Sequence, residues 1–223
     1  MPLQAEALSK IYGKGSNKVI ALNNVSITIE DGQFVSIIGP SGSGKSTLLH
    51  LLSGIDKPSG GTVLFNNEDM YALGEKELSA FRRQKFGFVF QQFHLIPILT
   101  AEENIGMPVL LDRKQPDQEY LRELADFLEI SGRLSHLPHE LSGGQQQRVA
   151  VARALIAKPQ IIFADEPTGN LDSKSSKEVI ELLTRATKQF GATLIMITHD
   201  LAISQLSERR FTISDGILSE VES

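Results

Sequence analysis

The run Gly39-Pro40-Ser41-Gly42-Ser43-Gly44-Lys45-Ser46-Thr47 has the composition of a loop that grips phosphate. It satisfies G-x-x-x-x-G-K-[ST] at every fixed position. A triphosphate concentrates several negative charges, and glycines let backbone N–H groups converge on them without side-chain obstruction. The N-terminus of a following helix adds a favourable dipole. In this reading Lys45 bridges the terminal phosphates, Ser46 ligates Mg²⁺ and Thr47 adds a phosphate contact. A second run, Leu141-Ser142-Gly143-Gly144-Gln145, follows downstream. Chance alone yields the phosphate pattern in about one chain in a hundred of this length, and the second run in about one in several thousand. A flexible turn explains either glycine run alone and explains both together poorly.

Other residues fit the same chemistry. Asp165-Glu166 closes the apolar stretch Ile161–Ala164. Asp165 is placed to hold Mg²⁺ through water, and Glu166 to polarise an attacking water. A solvated acidic pair is the ordinary alternative. The apolar strand before the pair, Pro167 after it and the phosphate loop upstream favour chemistry. His199 follows the apolar run Thr193–Ile197, where it can touch the terminal phosphate and sense hydrolysis. Gln91 closes the apolar run Phe86–Phe90, within reach of Mg²⁺ and the lytic water; spacing alone does not rank it above Gln92. Tyr12 lies upstream in Lys10-Ile11-Tyr12-Gly13, either stacking on adenine or packing against a sheet.

These residues need a scaffold. Val25, Ile27 and Ile29 alternate with polar residues, the mark of a half-buried strand. After the Asp31-Gly32 turn, Phe34–Ile38 reads as a buried strand running straight into the glycine loop. Leu48, Leu49, Leu51 and Leu52 give a helix with an apolar face that ends near Gly54. Strands follow at Thr62–Phe65 and Phe86–Phe90. Between about 93 and 158 strand patterns stop, and helical spacing such as Leu121, Leu124, Ala125 and Leu128 takes over. Pro116-Asp117 marks a helix start. Strand Ile161–Ala164, helix Ser173–Gln189 and strand Thr193–Ile197 come next. A hairpin turning at Asp215-Gly216 closes the chain. The expected fold is α/β: a P-loop NTPase (RecA-like) core of residues 1–92 and 159–223, with an N-terminal antiparallel β subdomain and an inserted helical subdomain at about 93–158.

Composition narrows the field. The 223 residues are 41 % hydrophobic and 22 % charged, with net charge -5, which lacks the basic footprint of a nucleic-acid binder. The basic cluster Arg82-Arg83-Gln84-Lys85 reads as a solvated helix end. With no cysteine, disulfides and thiolate metal sites are excluded. The apolar runs are strand-sized, far below the ~20 residues of a membrane span. No secretory signal is visible, so the cytoplasm is the expected compartment.

The set GPSGSGKST, FVFQQ, LSGGQQQR, IIFADEPTGNLD and ITHD closely resembles the ATPase subunits of ATP-binding cassette (ABC) transporters, over nearly the whole chain. That resemblance implies roles residue by residue. Gln91 falls on the Q-loop glutamine, Glu166 on the catalytic glutamate, His199 on the switch histidine, Asn170-Leu171-Asp172 on the D-loop and Tyr12 on the adenine-stacking aromatic. It implies ATP and Mg²⁺ as ligands. It also implies a head-to-tail, ATP-dependent homodimer in which Ser142, Gly143, Gly144 and Gln145 act on the partner's nucleotide. A permease supplied as a separate chain would hold the subunit on the inner face of the membrane.

The FVFQQFHLIP and ADEPTGNLD runs are most similar to the macrolide-export (MacB) and lipoprotein-release (LolD) branch, which includes subunits linked to antimicrobial-peptide resistance. Its permeases do mechanical work on the outer side of the membrane. Two other classes compete: soluble ABC ATPases of DNA repair or the ribosome, and cell-division-type regulators. The lack of coiled-coil arms, a second cassette and a basic tail argues against the soluble class. The apolar segment Phe93–Leu99, interrupted by Pro97, is expected to line in part the groove that receives a short permease helix.

Overall fold

The computed structural model describes residues 3–221. The chain divides into two compact units, one running to Arg82 and resuming at Ile195, the other Arg83–Leu194. These limits differ from the 93–158 insertion set out above.

In the first unit, β1 (Leu3–Tyr12) pairs antiparallel with β2 (Val19–Ile29) on one side and β4 (Gly60–Phe65) on the other. The short β5 (Glu68–Asp69) completes a sheet of order β2-β1-β4-β5. The register of β1 on β2 slips between Ala5 and Leu8, Leu8 and Lys10, and Lys10 and Ile11, and Ala7 sits at φ 49°. Such bulges break the period-two pattern, so no strand was legible before Tyr12.

β3 (Phe34–Ile38) is buried at Phe34, Val35, Ser36 and Ile37, as its continuous apolar run requires. It runs parallel to β9 (Arg209–Ser214), pairing Val35 with Arg209 and Ile38 with Thr212. β10 (Ile217–Val221) returns antiparallel after Asp215 at φ 49° and Gly216 at φ 74°, the left-handed pair of a tight hairpin turn. Helix α1 (Lys45–Leu52) follows the glycine loop and buries the four leucines expected of it.

Helix α2 (Glu75–Lys85) ends where the basic cluster lies, but that end is not simply solvated. Arg82 donates to the Gly54 carbonyl at 2.5 Å, and Arg83 pairs with Asp112 at 2.8 Å. A guanidinium carries several donors in a rigid fork and can hold distant chain segments in this way.

In the second unit, β6 (Phe86–Phe90) and β7 (Ile161–Asp165) pair in parallel, Phe86 with Ile161 through to Phe90 with Asp165. That register sets the residues after the pair, Gln91 and Glu166, at the same end of neighbouring strands. α3 (Ala101–Leu111) begins with a capping box between Thr100 and Glu103. α4 (Gln118–Phe127) is capped by Asp117, α5 (Gly143–Leu155) by Ser142 and α6 (Ser173–Gln189) by Asp172. α6 buries Val179, Ile180, Leu182, Leu183 and Ala186 on one stripe and ends before Gly191 at φ 70°. β8 (Thr193–Ile197) is buried throughout and carries the division between the units within it. α7 (Leu201–Ser204) follows in the first unit. The α/β class, the antiparallel sheet and the helices between 93 and 158 are those expected from the sequence. Among the described residues no helix is long and apolar enough to cross a membrane.

Candidate nucleotide site

The first unit supplies the phosphate loop. Gly39, Gly42 and Gly44 have φ of 156°, 77° and 106°, a region open to glycine and costly for other residues. Space is equally restrictive. A Cβ on Gly39 would come within 2.2 Å of the Ile213 carbonyl oxygen, and one on Gly44 within 2.4 Å of that of Ala21. The loop is therefore pinned against neighbouring backbone. Gly44 is the N-cap of α1 and offers no side-chain cap. Lys45 is buried, with its ammonium donating to the carbonyls of Gly39 and Pro40 at 2.9 Å each. The loop thus holds its own cation in place. Ser43 is buried beside Gly39, and its Oγ has no hydrogen-bond partner among the described residues. A buried hydroxyl left so suits a loop that receives an oxygen-rich ligand. Ser46 is exposed and Thr47 half-buried.

Tyr12 ends β1 with its ring 42 % exposed, so it does not pack into the sheet. Its hydroxyl donates to Asp56 at 2.9 Å. Lys10 donates to the same carboxylate at 2.7 Å, and its ammonium stands 4.9 Å from the Tyr12 ring centroid. Burial, then the Asp56 hydrogen bond, push the Tyr12 hydroxyl above its ordinary pKa. For Asp56, burial acts upward, but the bonds from Lys10 and Tyr12 outweigh it and hold the carboxyl below its usual range. The result is an aromatic platform fixed at its rim. His199 is exposed one residue beyond Thr198. The next residue, Asp200, caps α7 by accepting from Ala202 N–H at 2.8 Å, which fixes the chain after the histidine.

The second unit holds the acidic pair, Gln91 and the LSGGQ run. Glu166 has φ 45°, a left-handed conformation that is uncommon away from glycine, and it directly precedes Pro167. Strain of this kind collects at functional positions. The Gln91 side chain lies against Gly169, where a Cβ would meet its amide nitrogen at 2.6 Å. The Asn170 amide donates to the Gln91 carbonyl at 3.0 Å. Gln91, unlike Gln92, is thereby built onto the chain that leaves Glu166. Asp172 accepts from the N–H groups of Lys174 and Ser175 at 3.0 Å each and from the Ser175 hydroxyl at 2.6 Å. Those Ser175 bonds hold its carboxyl below the usual range.

At the start of α5, Ser142 Oγ accepts from the Gln145 N–H at 3.3 Å, and Gln145 Oε1 accepts from the Ser142 N–H at 2.9 Å. This capping box fixes both residues. Gly143 lies against Leu171, with a would-be Cβ 3.2 Å from its Cδ2. Ser142, Gly144, Gln145 and Arg148 help line a cavity of about 200 Å³ next to Ser175 and Glu178.

Three positioning side chains escaped the sequence reading. Gln147 is fully buried and donates to the carbonyls of Phe90 at 3.2 Å and Pro167 at 2.6 Å. Arg153 donates to those of His94 at 2.6 Å and Phe93 at 2.8 Å, and burial lowers its pKa. Asn104, also buried, accepts from the Ile96 N–H at 2.7 Å and donates to the carbonyls of Ile96, Leu99 and Thr100. Their sequence signal was a polar residue on an otherwise apolar helical stripe. Gln147, for instance, shares its stripe with Ala150, Val151 and Ala154.

Among the described residues no group of three or more His, Cys, Asp or Glu could hold a metal. The candidate Mg²⁺ ligands Ser46, Gln91 and Asp165 are all hard oxygen donors. Such a sparse oxygen set fits Mg²⁺, which keeps several waters and shares phosphate oxygens with its nucleotide.

A family model described as "ABC transporter" matches residues 22–169. An uncharacterized ABC transporter ATP-binding protein of Methanocaldococcus jannaschii, MJ1508, is 47 % identical, covering 98 % of each chain. The lipoprotein-releasing system ATP-binding protein LolD of Geobacter metallireducens is 43 % identical over 96 % of each. The macrolide export ATP-binding/permease protein MacB of Marinobacter nauticus is 47 % identical over 98 % of this chain, which spans 34 % of that longer protein. A dimeric post-hydrolysis structure of the ATP-binding cassette MJ0796 bound to ADP and Pi superposes with TM-score 0.86 at 41 % identity, covering 99 % of both chains.

Proposed function

The chain belongs to the ABC transporter family as one of its ATP-binding, ATP-hydrolysing cassettes, and we propose that it powers a separate membrane permease in an export or mechanotransmission complex. The observation that carries this reading is the glycine-pinned loop that leads into α1 and holds a buried lysine against its own carbonyls. Arriving phosphate oxygens replace the two carbonyls around the Lys45 ammonium. Ser46, Gln91 and Asp165 would hold Mg²⁺, which neutralises charge on the phosphates. Glu166 accepts the proton of the attacking water, and Gln91 orients that water. His199 contacts the terminal phosphate, and Tyr12 stacks on adenine.

The signature residues Ser142, Gly143, Gly144 and Gln145 act on the nucleotide of a second copy packed head-to-tail. Asp172 joins that interface through the segment it caps. The dimeric state of the MJ0796 cassette supports this arrangement. Likeness to LolD over nearly the whole of both chains supports a subunit working with a separate permease on the inner face of the membrane. A hydrophobic compound, an antimicrobial peptide or a lipoprotein is the cargo class favoured by the MacB and LolD likeness. Phosphate release from Mg-ATP by the purified chain, and recovery of a permease with it from gently solubilised membranes, test the reading. No turnover and no membrane partner would refute it.

A further inference from the structure

We propose that Gln147 is a positioning residue for ATP hydrolysis, tying the signature helix to both Gln91 and Glu166 of its own chain. The inference rests on the ATPase reading above. Gln147 lies one turn into α5, just past the LSGGQ run. Its amide nitrogen donates to two carbonyls, those of Phe90 and Pro167. Phe90 immediately precedes Gln91, and Pro167 immediately follows Glu166. One side chain therefore fixes the backbone next to both residues assigned to the attacking water.

Packing does not explain this choice. Gln147 Oε1 is buried with no partner among the described residues. A buried oxygen without a partner is costly, and an apolar side chain of similar size would avoid that cost. What an apolar side chain cannot supply is the pair of donors. The bond to Pro167 matters most for Glu166, whose φ of 45° needs restraint from its surroundings.

α5 also leaves little freedom around Gln91. Gly87 on β6 lies so close to α5 that a Cβ would meet the Ala154 carbonyl at 2.4 Å. Arg153 of the same helix holds the carbonyls of Phe93 and His94, beyond Gln91. A helix stiffened at its start by the Ser142–Gln145 box carries any displacement of the signature to Gln147. Engagement of the signature by a second copy's nucleotide thus sets the water-handling residues of the first copy.

The test compares the wild type with Gln147→Leu in steady-state phosphate release from Mg-ATP. The expected result is a kcat lower by about tenfold or more, with KM changed less than about twofold. The melting midpoint should stay within a few degrees. In a double-mutant cycle, Gln147→Leu should add little to the loss caused by Gln91→Ala, because both act on the same water. Equal kcat in an active background, or fully multiplicative losses, would overturn the role of Gln147 alone. A wild type that releases no phosphate would instead sink the ATPase reading and this inference with it. If the Leu variant does not fold, Gln147→Met takes its place with amide hydrogen exchange at Gln91, Gln92 and Thr168. Faster exchange at those amides supports the tie; unchanged exchange refutes it.

Discussion

The phosphate loop and the signature region reach rigidity by opposite means. In the loop, backbone does the work: Gly39 and Gly44 press against neighbouring carbonyls, and the one decisive side chain, Lys45, is held by the loop's own oxygens. Around Gln91 and LSGGQ the fixing is done by side chains: Gln147, Arg153, Asn104, and the Ser142–Gln145 box. A loop that grips a fixed anion gains from geometry that no rotamer can relax. A region that reports the arrival of a second copy, as proposed above, gains from connections made of single, replaceable hydrogen bonds. The two regions should therefore fail differently. The loop breaks when an atom is added to its backbone or its cation is lost, and the signature region when a donor is removed.

The largest effect is expected at Glu166, where chemistry rather than rigidity is at stake. Glu166→Gln keeps the shape but cannot take a proton, and loss of a general base lowers rates by about 10²–10⁴-fold. Turnover should fall by that order while ATP still binds. Gel filtration with Mg-ATP should show a persistent dimer, against mostly monomer without nucleotide. Near-normal turnover would remove Glu166 from the role.

Next comes Lys45. Hydrogen bonds to charged groups contribute about 1.5–3 kcal/mol, so Lys45→Ala should weaken ATP binding by about 10–100-fold. Calorimetric titration with Mg-ATP reads this directly. Gly44→Ala sharpens the contrast, because it removes nothing and adds one methyl group. With φ 106° and the Ala21 carbonyl 2.4 Å from the new carbon, it should weaken binding to a similar extent. A Gly44→Ala chain that binds ATP normally would mean the loop is not pinned by backbone after all.

Removing Asn104, away from the water-handling residues of the other region, should cost stability instead. Asn104→Ala strips the Ile96–Thr100 segment of its buried amide, leaving the Ile96 N–H and several carbonyls to find new partners. A cost of about 1–3 kcal/mol is expected, read as a lower denaturation midpoint. ATP affinity, set by the phosphate loop, should be unchanged.

The same contrast explains what the sequence could and could not reveal. Backbone-built features leave composition signals, because only glycine fits them. The phosphate loop, the Asp215-Gly216 turn and the end of α1 near Gly54 were all legible for that reason. α6 was legible at about Ser173 to Gln189 with Gly191 beyond it, and its apolar stripe and the Asp172 cap agree with those ends. The strand β1 was not, because its bulges scramble alternation. Arg82 and Arg83 resemble any exposed basic pair until the fold brings Gly54 and Asp112 to them. Gln147 and Arg153 left only a polar residue on a helix as their signal, because the partners of a long-range hydrogen bond have no local pattern. Spacing did not rank Gln91 above Gln92, though family resemblance did; the contacts of Gln91 with Gly169 and Asn170, some eighty residues away, have no local pattern.

The smallest effect on the isolated chain is expected on the segment Phe93–Leu99, where it decides between packing and docking. Arg153 holds the carbonyls of Phe93 and His94, and Asn104 holds Ile96 and Leu99, so this backbone is fixed from beneath. Leu95 is half-buried, which makes it a poor place to test docking. Ile98 is 82 % exposed, with nothing in its own fold to explain an isoleucine there. A single exposed apolar residue is ordinary, but this one caps a loop whose shape is maintained by the buried Asn104 and the half-buried Arg153. Ile98→Glu adds charge to a surface already in water, so stability should change by less than about 0.5 kcal/mol. ATP turnover of the purified chain should match wild type. If the segment receives a permease helix, the variant should nonetheless fail to co-purify with its membrane partner and should lose any stimulation by it. A variant that folds, hydrolyses ATP and still recovers that partner would leave Ile98 as plain surface and move the docking groove elsewhere.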